Sequence, residues 1–96
     1  MRLRYAPRAH SDIADIYDYI SKHNPRAATA IIRAISATAN LLARYPGLGR
    51  DTDIAGIRVL AVARYPYLIY HTVVGDELTI VHVRHGSRAA LTKEEI

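Results

Sequence analysis

The sequence predicts an α+β domain of two layers, in which an N-terminal strand and an antiparallel helix hairpin pack on a small antiparallel β-sheet. Two observations support this fold class. Apolar residues recur at three- and four-residue spacing in the first half of the chain, which is typical of amphipathic helices. The second half contains β-branched and aromatic runs without that spacing, which favours strands. At this length we expect one domain over residues 1–96.

The N-terminal half predicts a short strand and two helices. Arg2–Tyr5 is the candidate strand, and it ends before Pro7. The first helix carries a single apolar stripe made of Ala9, Ile13, Ile16 and Ile20. Asn24-Pro25 predicts the start of the second helix, because asparagine caps a helix and proline is tolerated in the first turn. Pro46-Gly47 ends that helix.

The second helix has a broader apolar sector than the first. Its apolar face comprises Ala28, Ile31, Ile32, Ile35, Ala39 and Leu42. A sector this broad requires two neighbours, which we predict to be the first helix and a sheet. The sheet is expected to be a meander of three strands, Ile57–Ala63, Tyr65–Val74 and Leu78–Arg84, with a tight hairpin at Gly75-Asp76. Ala89–Ile96 could form a short helix or fray.

Composition restricts the function classes. The chain has no cysteine, which excludes disulfides, thiolate metal sites and cysteine nucleophiles. It has neither a signal peptide nor an apolar run of membrane-spanning length, so a soluble, cytoplasmic protein is expected. The net charge is +4, and eleven of the thirteen basic residues are arginine. Arginine favours bidentate contacts to phosphate or carboxylate, so the charge indicates an acidic partner, although ordinary solvated arginines would give the same composition.

Motifs for metal, phosphate or nucleophile chemistry are weak. His71, His82 and His85 lie on neighbouring predicted strands without nearby acids, so we expect polar-tipped histidines at sheet edges and no metal or cofactor. Ser87 lacks the glycine-framed elbow of a nucleophile. Gly47–Arg50 follows a helix, which indicates a turn and not a phosphate loop.

The strongest candidate constellation closes the last predicted strand. Arg84, His85 and Arg88 surround Gly86, where the chain can turn out of the sheet. Cations held with exposed tips at a sheet margin suit an acidic or phosphate surface. They could also serve phosphodiester cleavage, and a solvated C-terminal turn is the alternative.

Several segments together resemble the RelE/ParE family of toxins from bacterial toxin–antitoxin modules. They are YAPRAHSDIADIYDYISKHNP, LLARYPGLGR, IRVLAVARYPYLIYHTV and IVHVRHGSR, in this order over nearly the whole chain. The resemblance implies a helix hairpin on an antiparallel sheet and a role in plasmid stabilisation. It also implies a cognate antitoxin as partner and a toxin–antitoxin hetero-oligomer.

The family has two branches with different targets. RelE-like members cleave messenger RNA in the ribosome, whereas ParE-like members poison DNA gyrase. The RelE pattern implies a lysine at about Leu60 and an arginine at about Tyr67, neither of which is present, and only its arginine after the glycine is matched, by Arg88. No tyrosine follows Tyr70. The resemblance therefore favours the gyrase poison, with ribosome-dependent RNA cleavage or a degenerate, non-toxic binding module as alternatives.

The resemblance also implies site residues. The expected target-binding residues are Arg58, Arg84, His85 and Arg88. No catalytic residue is assigned, and under the nuclease alternative His85 and Arg88 would carry the chemistry. The expected antitoxin-binding residues are Tyr17, Tyr19, Leu41 and Arg64.

Overall fold

The structure is a computed structural model that describes every residue from Met1 to Ile96. Its elements in chain order are β1 (Arg2–Tyr5), α1 (Pro7–Ser21), α2 (Pro25–Arg44), β2 (Arg50–Asp51), β3 (Arg58–Ala61), β4 (Tyr67–Val74) and β5 (Glu77–His85). A 3₁₀ turn, Lys93–Glu95, lies near the C-terminus. Neither helix has the length and apolar character needed to cross a membrane.

Helix α2 is the central element of the core. Asn24 caps it as predicted, because its Oδ1 accepts a hydrogen bond of 3.1 Å from the Ala27 N–H. Its buried face comprises Ala28, Ile31, Ile35, Ala39 and Leu42. These side chains pack on α1 and on the sheet, where they meet Ile69, Leu78 and Ile80. The broad apolar sector therefore has the two neighbours that the sequence predicts.

The sheet has five strands in the order β1-β5-β4-β3-β2. The β3–β4–β5 meander is antiparallel, and the Val74–Glu77 connection is tight with Gly75 at a φ of 61°. The predicted fold class and antiparallel meander are confirmed, and strand β1 adds to the sheet by pairing in parallel with β5, so the complete five-stranded sheet is mixed. Strands so distant along the chain are not joined by a hairpin, and no turn forces them to run antiparallel. Strand β2 has two residues, too few for a sequence pattern.

A second, smaller core lies on the sheet face away from the helices. Leu91 is buried there against Ile57, Val59 and Tyr70. The C-terminal segment thus crosses this face as an ordered chain that neither frays nor forms a full helix, and it contains only a short 3₁₀ turn. The architecture is two layers with the C-terminal segment covering part of the outer face of the sheet.

The outer edge of β5 is only partly covered by β1. The parallel pairing runs from Arg2–Glu77 to Tyr5–Ile80 and stops there. From Val81 onward β5 has no strand on that side, and helix α1 packs beside it instead. This change of neighbour creates a cleft between α1 and the end of the sheet.

Candidate functional site

The cleft between α1 and the ends of β4 and β5 is the candidate functional site. It encloses about 300 Å³. Its wall on the helix side is formed by Arg8, Asp12, Asp15, Ile16 and Tyr19, and its wall on the sheet side by Tyr67, Val83, Arg84, His85 and Arg88. Three of the four predicted target-binding residues therefore lie at one cleft, and Arg58 lies outside it.

Asp12 joins helix α1 to the uncovered edge of β5. Its Oδ2 accepts a hydrogen bond of 2.9 Å from the Val83 N–H, which has no strand partner on that side. The same oxygen lies 2.6 Å from His82 Nδ1, and Oδ1 accepts a hydrogen bond of 2.9 Å from Arg8 Nε. With these partners, the buried Asp12 carboxylate has its hydrogen bonds satisfied. It also gives the Val83 N–H the acceptor that β1 does not provide.

His71 and His82 are core residues, so their predicted positions at sheet edges are wrong. Their exposed fractions are 0% and 1%. Burial lowers the pKa of His82, although the neighbouring Asp12 carboxylate opposes that shift. Burial likewise lowers the pKa of His71, whose Nδ1 lies 3.1 Å from the Ile69 carbonyl. The edge prediction fails for His71 because β4 lies between β3 and β5, and for His82 because Asp12 of α1 lies against it.

Arg84 is buried and bound within the chain, so the predicted exposed tip is wrong for this residue. Only 3% of its side chain is exposed. Its Nη1 donates a hydrogen bond of 2.8 Å to the Ala89 carbonyl, and its Nη2 pairs with Glu95 Oε2. The Arg84 guanidinium holds the pKa of Glu95 down at about 2, with a further contribution from the Thr92 backbone. The charge of Arg84 is therefore neutralised by the C-terminal segment.

Arg58 organises the loop that follows α2. Its guanidinium donates to Asp51 Oδ1 at 2.8 Å and to the carbonyls of Gly47 and Gly49 at 2.9 Å each. Gly49 has a φ of 88°, and a Cβ there would lie 2.5 Å from the Val59 carbonyl oxygen. The segment is a turn, as the sequence predicts, and the hydrogen bonds of the Arg58 guanidinium stabilise it.

His85 and Arg88 form the remaining cationic corner of the cleft. The Ser87 N–H donates a hydrogen bond of 3.0 Å to His85 Nδ1, and Ser87 Oγ lies 2.8 Å from the same nitrogen. Because an amide N–H can only donate, Nδ1 is an acceptor and the neutral imidazole carries its hydrogen on Nε2. The imidazole packs edge-on against Tyr67, with ring centroids 5.4 Å apart. The Arg88 side chain is exposed and makes no ion pair.

Residues 3–90 match the sequence model of the ParE toxin of the type II toxin–antitoxin system, parDE. The chain belongs to the ParE toxin family. It is 35% identical over 83 residues to a Sinorhizobium fredii protein named "Putative toxin Y4kP", covering 84% of this chain and 86% of that protein. A solved structure described as the chromosomal ParDE toxin–antitoxin system from P. aeruginosa superposes with a TM-score of 0.80 at 26% identity, covering 88% of this chain and 95% of that one.

This ParE-family toxin does not bring its four predicted antitoxin-binding residues together. Tyr17 and Tyr19 lie two positions apart on α1 and point about 200° from one another. If the two helices are aligned from their connecting turn, Leu41 lies about 18 Å further from that turn, along the helix axis, than Tyr17 does. Tyr19 lines the cleft, and Arg64 lies in the β3–β4 turn at the same end of the sheet. Their role in antitoxin binding stays a prediction.

Sequence reasoning missed two residues that build the site of this ParE-family chain. Asp12 lies three positions after Ala9 and four before Ile16, which places it on the apolar face of α1, where a carboxylate needs a partner. Glu95 follows Thr92 by three positions, the spacing of a capping box, and the Thr92 backbone and side chain do bond Glu95 Oε1. Both spacings are visible in the sequence, but the sequence does not show that Asp12 binds Val83 or that Glu95 binds Arg84.

Proposed function

We propose that this ParE-family toxin inhibits DNA gyrase by binding it, without cleaving RNA, and that a cognate antitoxin neutralises it. The observation that carries this proposal is the hydrogen bonding of His85. Under the nuclease alternative, His85 is the group that would remove a proton. Its lone pair on Nδ1 is already occupied by the Ser87 N–H, and in the neutral ring Nε2 carries a hydrogen. Such an imidazole can donate a hydrogen bond into the cleft, but it has no free lone pair to act as a general base.

The other charges at the cleft also favour a protein partner over RNA. Arg84 is neutralised by Glu95, and Arg8 is paired with Asp12. Asp15 is exposed on the cleft wall. A nuclease needs several cations around the scissile phosphate, whereas this cleft offers one cation without an ion pair, Arg88, beside a carboxylate that repels a polyanion.

Two strand positions support the same proposal. Leu60 packs on the core between the helices and the sheet, and Tyr67 is buried beneath His85. Burial raises the pKa of Tyr67, so the phenol is neutral at physiological pH. These are the positions at which the resemblance to RelE implies a lysine and an arginine. Neither side chain can neutralise a phosphate.

Arg88 is the residue that we assign to gyrase contact. Its side chain is exposed and lines the cleft together with His85, Tyr19 and Tyr67. A free cation beside aromatic side chains is the composition of a protein-binding hot spot. The net charge of +4 suits an acidic surface on either gyrase or the antitoxin.

Induction in bacterial cells tests the proposal. Wild type should produce gyrase-linked DNA breaks and leave messenger RNA ends unchanged, and co-expression of the product of the adjacent gene should suppress the breaks. Arg88→Ala should weaken the breaks strongly, whereas His85→Ala should retain most of them, because His85 is assigned no proton transfer. Ribosome-dependent RNA cuts that disappear in His85→Ala would contradict the proposal.

A further inference from the structure

The turn that carries Arg88 is held at both ends. At its start, the Gly86 N–H donates a hydrogen bond of 2.7 Å to the Pro66 carbonyl, and the Arg88 N–H donates one of 3.1 Å to the His85 carbonyl. At its end, the Ala89 carbonyl accepts a hydrogen bond from Arg84 Nη1 at 2.8 Å. Arg84 therefore fixes the chain at the residue immediately after Arg88.

The same guanidinium also holds the far end of the C-terminal segment. Its Nη2 binds Glu95, whose other carboxylate oxygen accepts from the Thr92 N–H at 3.0 Å. Between these two attachments, Leu91 is buried on the outer face of the sheet. The Arg84 side chain on β5 thus binds the C-terminal segment at Ala89 and at Glu95, on either side of the buried Leu91.

We propose that Arg84 and Glu95 form a positioning clamp that presents Arg88 to the target. This inference rests on the proposed function, because it assigns target binding to Arg88. Neither Arg84 nor Glu95 contacts the target in this account. They act through the path of the chain from Gly86 to Ala89.

The physical reason lies in the cost of an unpaired buried cation. Arg84 is nearly inaccessible to water, and its Nε already lacks a hydrogen-bond partner. If Glu95 loses its charge, the guanidinium is left without a counter-ion and is most stable when the C-terminal segment opens and water enters. Opening releases the Ala89 carbonyl, and Arg88 then loses its fixed position. Binding to the target must then order Arg88, which costs conformational entropy.

The sequence offers a matched control for this clamp. Glu94 is an exposed neighbour of the same type and makes no ion pair or side-chain hydrogen bond. Glu94→Gln and Glu95→Gln therefore change the net charge equally, and only Glu95→Gln alters a carboxylate that binds Arg84 and Thr92. A second variant, Arg84→Lys, keeps the charge but lacks the planar fork that reaches both Ala89 and Glu95.

The experiment is a double-mutant cycle on the 96-residue chain, with purified DNA gyrase as the probe. Glu95→Gln and Arg84→Lys should weaken binding severalfold at unchanged stoichiometry, and Glu94→Gln should bind like wild type. In an Arg88→Gln background, Glu95→Gln should cause little further loss, because the clamp acts through Arg88. Equal losses with and without Arg88, or equal binding by Glu94→Gln and Glu95→Gln, would overturn the clamp.

A second readout separates failure of the clamp from failure of the proposed function. Backbone ¹⁵N relaxation of Ser87, Arg88 and Ala89 in the free protein should show greater mobility in Glu95→Gln than in Glu94→Gln. If wild type does not bind gyrase at all, the proposed function fails and this measurement still decides the clamp. Unchanged mobility of those three residues in Glu95→Gln would then overturn it.

Discussion

Individual side chains decide what the cleft of this ParE-family toxin can do, and the most informative is Asp12. Asp12, Asp15 and Asp18 lie three residues apart in one early acidic segment of the sequence. The structure separates them, because Asp12 is buried and bound to Val83 while Asp15 and Asp18 are exposed. Periodicity can place Asp12 on the apolar face, but only the tertiary structure shows that β5 has an uncovered N–H there.

Replacing Asp12 should be costly. Asp12→Ala leaves the Val83 N–H unsatisfied and removes the acidic partner of Arg8 and His82. We expect a loss of about 2–4 kcal/mol in the free energy of unfolding, measured by urea denaturation at pH 7. The matched control Asp18→Ala should lie within about 0.5 kcal/mol of wild type, because that carboxylate is exposed. Equal stability of the two variants would contradict the role assigned to Asp12.

The arginines show which side-chain contacts the sequence does not predict. The sequence predicts Arg58, Arg84 and Arg88 as one cationic surface, since all three lie on or beside predicted strands. In the structure Arg58 binds the loop after α2, Arg84 binds the C-terminal segment, and only Arg88 is left without a partner. The partners of Arg58 and Arg84 lie in irregular segments, whose paths no periodic pattern predicts.

At the scale of elements, periodicity succeeds where an element is long and fails where it is short. Helix α2 has the predicted cap and the predicted buried face around Ile35. The two-residue strand β2 and the parallel pairing of β1 were not predictable, because both depend on which distant edge is available. The C-terminal segment is the clearest failure, since its order comes from Leu91 and Glu95 meeting the sheet and not from helical propensity.

The pH dependence of the C-terminal segment follows from Glu95. Its pKa in the folded protein is lowered to about 2 from 4.5, first of all by Arg84. A carboxyl group with a lowered folded pKa stabilises the fold at pH values above its unfolded pKa, and this contribution is lost as the pH falls through the folded pKa. The segment should therefore stay attached from pH 7 to about 4.5 and detach progressively towards pH 2.

An NMR titration of the Thr92 amide checks this expectation, because that N–H binds the Glu95 carboxylate directly. The midpoint should lie near 2 in wild type, and the transition should be absent in Glu95→Gln. A midpoint at the ordinary glutamate value would mean that Arg84 does not hold Glu95, and it would remove the basis of the clamp.

At the scale of the whole molecule, the family and the fold were predictable from the sequence, and the chemistry of the cleft was not. The order of the helix hairpin and the meander follows from patterns that span most of the chain. The cleft depends instead on the point at which β1 stops covering β5, which places α1 beside Tyr67, His85 and Arg88. The five residues from Arg84 to Arg88 indicate a cationic corner at the end of the last strand. They do not show that the hydrogen bond from Ser87 leaves the neutral His85 ring as a hydrogen-bond donor.

The two ends of the sheet differ in charge. The hairpin between β4 and β5 carries Asp76 and Glu77, both paired with Arg2. The opposite end of the sheet carries Arg64 and Arg88, neither of which makes an ion pair. Under the proposed function, these two unpaired cations favour the approach of an acidic partner to the end that contains the cleft.

The proposed function rests on Arg88, an exposed residue that lines the cleft, as a binding contact to gyrase. The most direct measurement is the affinity of the purified 96-residue chain for DNA gyrase, compared between Arg88→Gln and Arg33→Gln. Arg33 is an exposed arginine on the polar face of α2 outside the cleft, so the two variants lose the same charge. We expect Arg88→Gln to bind at least severalfold more weakly than wild type and Arg33→Gln to bind like wild type. Equal affinities for the two variants, or no binding of gyrase by wild type, would contradict this expectation.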